Sequence, residues 1–261
     1  MENIKFIQTT DPTVIEQLRL DYLNHLPLSQ EYYLEILIKD SNLYIIFIDN
    51  TQAGYFVLSP DNVLLEYYIF PEWINQMDEI FGFILKEVGI KKALCKTFDS
   101  DLLFCCLAFH KKTSTIGFMF RDFKAKSSNV TPSGINVRRA EMNDEDQIIA
   151  VNEEVFDHDE EVGQYIRAQQ IFLFEKANSL VGFGIFSPVF QGRKEYDIGM
   201  LITPPFRHQG YGTFIINYLV NYCRQNGWIS NAGCAVENIA SRKCLEKAGF
   251  VTHHRLLEFL F

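Results

Sequence analysis

Residues 197–213, Asp-Ile-Gly-Met-Leu-Ile-Thr-Pro-Pro-Phe-Arg-His-Gln-Gly-Tyr-Gly-Thr, constrain this chain more than any other stretch. An apolar strand stops at two adjacent prolines, which lack backbone donors and leave a sheet easily. A turn over Arg207-His208-Gln209-Gly210-Tyr211-Gly212 follows, and its glycines permit close approaches that a side chain would block. Tyr211, Phe214, Ile215, Tyr218, Leu219 and Tyr222 then recur at spacings of three and four, which predicts a helix with one apolar stripe. N–H groups at such a helix start, helped by the helix dipole, form an anion site, and Arg207 and His208 flank it. This arrangement suits a pyrophosphate.

Gly227 ends the helix, Trp228 to Val236 reads as a buried strand, and Glu237-Asn238 opens a second helix closing at Ala248-Gly249-Phe250. The run resembles the acetyl-CoA-binding core of the GCN5-related N-acetyltransferases, the GNAT proteins. Arg207 to Gly212 matches their Arg/Gln-x-x-Gly-x-Gly/Ala loop, and Asn238 to Phe250 matches their Asn-x-x-Ser/Ala…Glu-Lys-x-Gly-Phe segment. A lone Gly-x-Gly is weak, but two motifs in order, separated by a helix and a strand, are strong. The resemblance implies an α/β (α+β) fold, a mixed twisted sheet flanked by helices. It also implies direct transfer of an acetyl group from acetyl-CoA to a primary amine. By the same resemblance Met200, Leu201 and Ile202 offer backbone groups to the pantetheine and the thioester carbonyl. Arg207, His208, Gln209, Gly210, Tyr211, Gly212 and Thr213 match the pyrophosphate positions, and Asn238 and Ser241 lie along the arm.

Asp197 stands where many family members carry a glutamate, and it is the first candidate for the base. A carboxylate can deprotonate an ammonium whose pKa burial has lowered. Glu237 is the second candidate, and water the third. An Asp at a strand start can equally be solvated or bonded to backbone. One position departs from the family: a tyrosine that returns a proton to the leaving thiolate is replaced here by Leu245, preceded by Cys244. A thiol pKa of roughly 8.5 makes the thiolate a good leaving group near neutral pH without acid help. The alternative to an enzyme is therefore a non-catalytic acyl-CoA-binding or sensing protein.

With 48% hydrophobic residues over 261 positions, the chain can bury one large core or two smaller ones. No apolar run spans a bilayer and the N-terminus lacks a signal-peptide core, so a cytoplasmic protein is expected. Six cysteines without a Cys-x-x-Cys pair read as reduced thiols, and no metal motif is present. A formal charge of −9 argues against nucleic acid or an anionic membrane as partner. Acceptor identity belongs to the segment before the Leu180 strand, where Asp157-His158-Asp159-Glu160-Glu161 reads as a lip for a cationic small-molecule or protein amine, or as a solvated helix start.

Residues 126–134 are polar, contain Pro and Gly, and read as a linker between domains at 1–125 and 135–261. The acid excess is shared, with 12 Lys and Arg against 17 Asp and Glu in residues 1–126, and 12 against 16 in 127–261. The halves follow one plan of strand, strand, proline, helix, glycine, strand, helix. In the first half Pro71 is followed by Glu72-Trp73-Ile74, with neither Gly nor Arg, and a carboxylate there repels phosphate. The first half thus reads as a degenerate GNAT-like domain without a phosphate loop, or else as an unrelated α/β domain. Its role is to shape the acceptor cleft or to form a homodimer surface.

Overall fold

The computed structural model describes residues 3–125, 132–153 and 155–261. Most of the segment read as a linker, residues 126–131, lies outside the described residues. In chain order the first elements are β1 (Ile4–Thr9), α1 (Pro12–His25), α2 (Tyr32–Lys39), β2 (Asn42–Ile48), β3 (Thr51–Leu58), β4 (Val63–Ile69), α3 (Met77–Val88), β5 (Lys92–Lys96), α4 (Ser100–Phe109) and β6 (Lys112–Phe120). There follow β7 (Asp122–Phe123), β8 (Ile135–Arg139), α5 (Glu145–Val151), α6 (Asp159–Arg167), β9 (Ile171–Lys176), β10 (Ser179–Pro188) and β11 (Glu195–Ile202). The chain closes with α7 (Tyr211–Gln225), β12 (Ile229–Ala235), α8 (Ile239–Ala248), β13 (Phe250–Val251) and β14 (His254–Leu260). These elements form two compact units, one of the described residues through Met119 with His253–Phe261, the other of Phe120–Thr252.

The first unit orders its strands β1-β2-β3-β4-β5-β14-β6. Only β4 and β5 run parallel among these neighbours. Its core packs Phe56, Tyr67, Ile80, Phe81, Leu102 and Phe259. The sequence division places residues 253–261 in the second half, whereas β14 lies between β5 and β6 of the first unit. Leu256 and Phe259 bury there, and β14 supplies the pairing that β5 and β6 each need. A local apolar pattern announces a strand but not its partner.

The second unit orders its strands β12-β11-β10-β9-β8, with β11 and β12 parallel and the others antiparallel. The short β7 and β13 pair separately. One face of this sheet packs Phe183 and Leu201 against Ile148, Phe156, Val162 and Ile166. Aromatic rings of α7 cover the other, with Tyr218 edge-on to Phe172 and Phe174. The stripe expected over residues 211–222 is this buried face, with Tyr211, Ile215 and Leu219 each at most 5% exposed.

Both units carry the same local signature. Gly54 pairs with Ile69 and Gly182 with Ile202. A Cβ built on either glycine would lie 2.1 Å from a facing carbonyl oxygen, that of Tyr68 or of Leu201. Only glycine admits this approach. In each unit the parallel pair then separates: β4 and β5 share two paired steps ending at Leu64↔Ala93, and β11 and β12 share three ending at Asp197↔Asn231. Leu64 and Asp197 each lie five residues before the isoleucine that faces the glycine.

Candidate functional site

The start of α7 is chemically open. Gly210 caps it in left-handed backbone at φ 88°, with no side-chain hydrogen bond to the helix N-terminus. Side chains cap α1 (Asp11), α4 (Asp99) and α8 (Asn238), whereas α2, α3, α5 and α6 also lack a side-chain cap. The first-turn N–H groups of α7 therefore keep no intrahelical acceptor and present a partial positive charge. A cavity of about 830 Å³ opens on them. Its lining includes Met200, Leu201 and Ile202 from β11, the loop from Phe206, and Asn238, Ser241, Lys243, Cys244 and Lys247 from α8. Gly212 lets the two helices close up: a Cβ there would lie 2.9 Å from Cys244 Sγ.

Charge at this cavity is mostly positive. Arg207 donates through Nε to the Ile202 carbonyl at 3.0 Å and pairs through its terminal nitrogen with Glu153. Lys243 and Lys247, one turn apart on α8, add two cations to the lining. Among the described lining residues Glu153 is the single acid.

Of the residues named from sequence, Met200, Leu201, Ile202, Arg207, His208, Gly210, Tyr211, Gly212, Thr213, Asn238 and Ser241 all line this cavity. Gln209 does not; its amide donates to the Pro205 carbonyl at 3.0 Å. The Asn238 side-chain oxygen is engaged in capping, accepting from Ser241 N at 2.9 Å. Asp197 lies outside the lining, at the last paired step of β11 with β12. Glu237 is exposed and also outside it. Sequence reasoning missed Glu153, Lys243 and Lys247. The lysines sit in the quoted Asn238–Phe250 motif at i, i+4, a legible spacing, whereas Glu153 reaches Arg207 across 54 residues with no local signal.

Residues 12–123 match an acetyltransferase (GNAT) domain and residues 139–250 match the acetyltransferase (GNAT) family. Two GNAT domains lie in tandem in this chain, which belongs to the GNAT acetyltransferases. No functionally curated protein matches the sequence. Among solved structures it is similar to a GNAT-family acetyltransferase from Colwellia psychrerythraea, at TM-score 0.89 and 19% identity, covering 98% of this chain and 99% of that one. A GCN5-related N-acetyltransferase from Sphaerobacter thermophilus matches at TM-score 0.60 and 12% identity, over 94% of this chain and 84% of that one. A tandem GNAT protein from the clavulanic acid biosynthesis pathway matches at TM-score 0.57 and 11% identity, over 98% of each chain. At these identities the likeness is one of fold.

The two GNAT domains differ where the chemistry would be. In the first, Glu66 on β4 is fully buried and bound bidentately by Arg19 at 2.8 and 3.1 Å. Gln30 and the Tyr55 hydroxyl each donate to the same carboxylate at 2.9 Å, and Arg19 also reaches Glu35. Burial pushes the Glu66 carboxyl up, but the Arg19 guanidinium outweighs it and leaves the pKa below the ordinary value. Its helix α3 begins with Asp78 and Glu79, the wrong sign for a phosphate. In the second domain the position matching Glu66 is Gly199, three residues before Ile202. Leu245, at the family's tyrosine position, is buried at 2% exposure and turned from the cavity, while Cys244 faces it with its thiol pKa raised by burial. Among the described residues no group of three or more His, Cys, Asp or Glu side chains is placed to hold a metal, and no helix is long and apolar enough to cross a membrane.

Proposed function

We propose that the second GNAT domain transfers an acetyl group from acetyl-CoA to a primary amine, and that the first domain binds no CoA. The observation that carries this reading is the start of α7 opening on a cavity whose described lining carries three cations and one acid. Unsatisfied helix N–H groups and flanking cations fit a diphosphate, and the narrow α7–α8 contact at Gly212 leaves room beside it. Gly210, Tyr211, Gly212 and Thr213 would hold the diphosphate with Arg207 and His208. Met200, Leu201 and Ile202, on the strand stretch that has left β12, would line the pantetheine with Asn238 and Ser241.

Acetyl-CoA would supply the activated acyl group as a thioester. Asp197 takes the proton from the acceptor ammonium, directly or through water, and so frees the lone pair that attacks the carbonyl carbon. The C–N bond would form and the C–S bond break, the nitrogen's second proton would pass to water, and the thiolate would leave without a dedicated acid, its pKa of roughly 8.5 being close to neutrality. Buried Leu245 favours a second reading, acyl-CoA binding without transfer. Two measurements separate them: calorimetric titration with CoA, and thiol release from acetyl-CoA in the presence of amines. Saturable micromolar binding with amine-dependent thiol release supports transfer. Binding without release supports sensing, and no binding at millimolar CoA rejects both.

A further inference from the structure

Helix α8 divides its charges between two sides. Arg242 pairs with Glu246 at 2.8 Å, and neither residue lines the cavity. Lys243 and Lys247, also four apart, do line it, and no hydrogen bond or ion pair joins either to another described residue. Like charges at this spacing repel and weaken a helix. Lys247 lies in the last turn, where a cation suits the helix dipole, but Lys243 lies mid-helix and has no such use. The fold itself does not ask for these cations: the matching helix of the first domain, α4, carries neither Lys nor Arg. The pair stands close to the start of α7. Cys244, the residue after Lys243, would meet a Cβ on Gly212 at 2.9 Å and lies 3.9 Å from Thr213 Oγ1. Burial raises the Cys244 thiol pKa, while the Thr213 hydroxyl and the Lys247 ammonium pull it down, so that ammonium stands near the sulfur.

Resting on the CoA-binding part of the reading above, we propose that Lys243 and Lys247 together bind the 3′-phosphate of CoA and so make this domain select CoA over 3′-dephospho-CoA. On that reading the diphosphate bridge already takes the α7 N–H groups and Arg207. The 3′-phosphate sits one ribose further on and is a monoester, with a charge of roughly −1.5 to −2 at pH 7 and three free oxygens. Helix residues four apart hold their Cβ atoms roughly 5–6 Å from each other, a span that two flexible lysine side chains close onto one phosphate. Two ammonium groups balance such a dianion, and attraction of each to the phosphate outweighs their mutual repulsion.

The test titrates the full chain with CoA and with 3′-dephospho-CoA by calorimetry, at low and at high salt. Wild type is expected to bind CoA roughly fivefold to thirtyfold more tightly, the worth of two solvent-exposed charge pairs, and that ratio should shrink as salt rises. The double variant Lys243→Gln, Lys247→Gln should bring the ratio near unity by weakening CoA alone, with 3′-dephospho-CoA held at its wild-type affinity. Both lysines are exposed, so the variant is expected to fold, which thermal unfolding checks. Equal affinities of wild type for the two ligands would overturn the proposal and leave CoA binding standing. An equal loss for both ligands in the double variant would assign the lysines to the diphosphate and overturn it too. Failure of either ligand to bind at millimolar concentration would reject the CoA-binding reading and the inference with it.

Discussion

The β4–β5 pair of the first domain and the β11–β12 pair of the second begin alike and end differently. Each runs parallel for a few steps after the same glycine-against-carbonyl contact, then parts. In the first domain the last shared step is apolar, and two residues further along β4 the buried Glu66 is held by Arg19, Gln30 and Tyr55. In the second the last shared step is polar, glycine replaces the glutamate, and the helix start that follows stands beside cations where α3 carries Asp78 and Glu79. The comparison teaches that this fold does not by itself make a cofactor site. Once strands part, their unpaired N–H and C=O groups need other partners, and a ligand or an internal ion network can fill the space. The first domain buries such a network two residues past its last shared step, and the second has Gly199 at the position matching Glu66.

The largest expected effect sharpens the polar end of that contrast. Asp197→Asn should lower kcat by roughly a hundredfold to ten-thousandfold, the range for losing a general base, with CoA affinity unchanged. Equal turnover in the variant would move the proton transfer to water or another group. Glu66→Ala tests the buried network. It removes the bidentate partner of the buried Arg19, leaving it the Glu35 carboxylate, and should cost about 3 kcal/mol in denaturant unfolding, while CoA binding by the folded protein is retained. The same network gives a pH signature. The Glu66 carboxyl is held below its ordinary value, so its contribution is complete above roughly pH 4.3 and is lost as pH falls through the lower folded value. Acid destabilisation should therefore be shallower in Glu66→Gln than in wild type.

Gly210→Asp places bulk and negative charge at the α7 start and should weaken CoA by on the order of a hundredfold, about 2.7 kcal/mol. Glu153→Gln is the smallest. Its carboxylate pairs with Arg207 where a diphosphate would compete, but the glutamate is 54% and the arginine 39% exposed, and such pairs are worth less than about 1 kcal/mol. CoA affinity should rise no more than about fivefold, and the gain should shrink at high salt. A loss of affinity would mean that Glu153 orients Arg207 rather than competing for it.

Much of the second domain was legible because its signals are local. The prolines at 204 and 205, the glycines at 210 and 212, and the Tyr211–Tyr222 stripe each fix backbone or burial within a few residues. They sufficed to bring eleven of the named residues to one cavity. What stayed hidden depends on contacts far apart in sequence. Arg19 meets Glu66 across 47 residues, Glu153 meets Arg207 across 54, and β14 finds β5 from the far end of the chain.

Calorimetric titration of the full chain with CoA tests the central claim most directly, because its stoichiometry counts the domains that bind CoA. One site per chain with micromolar affinity, lost in Gly210→Asp, is the predicted result. Two sites per chain, or a single site that survives in a folded Gly210→Asp variant, would contradict it.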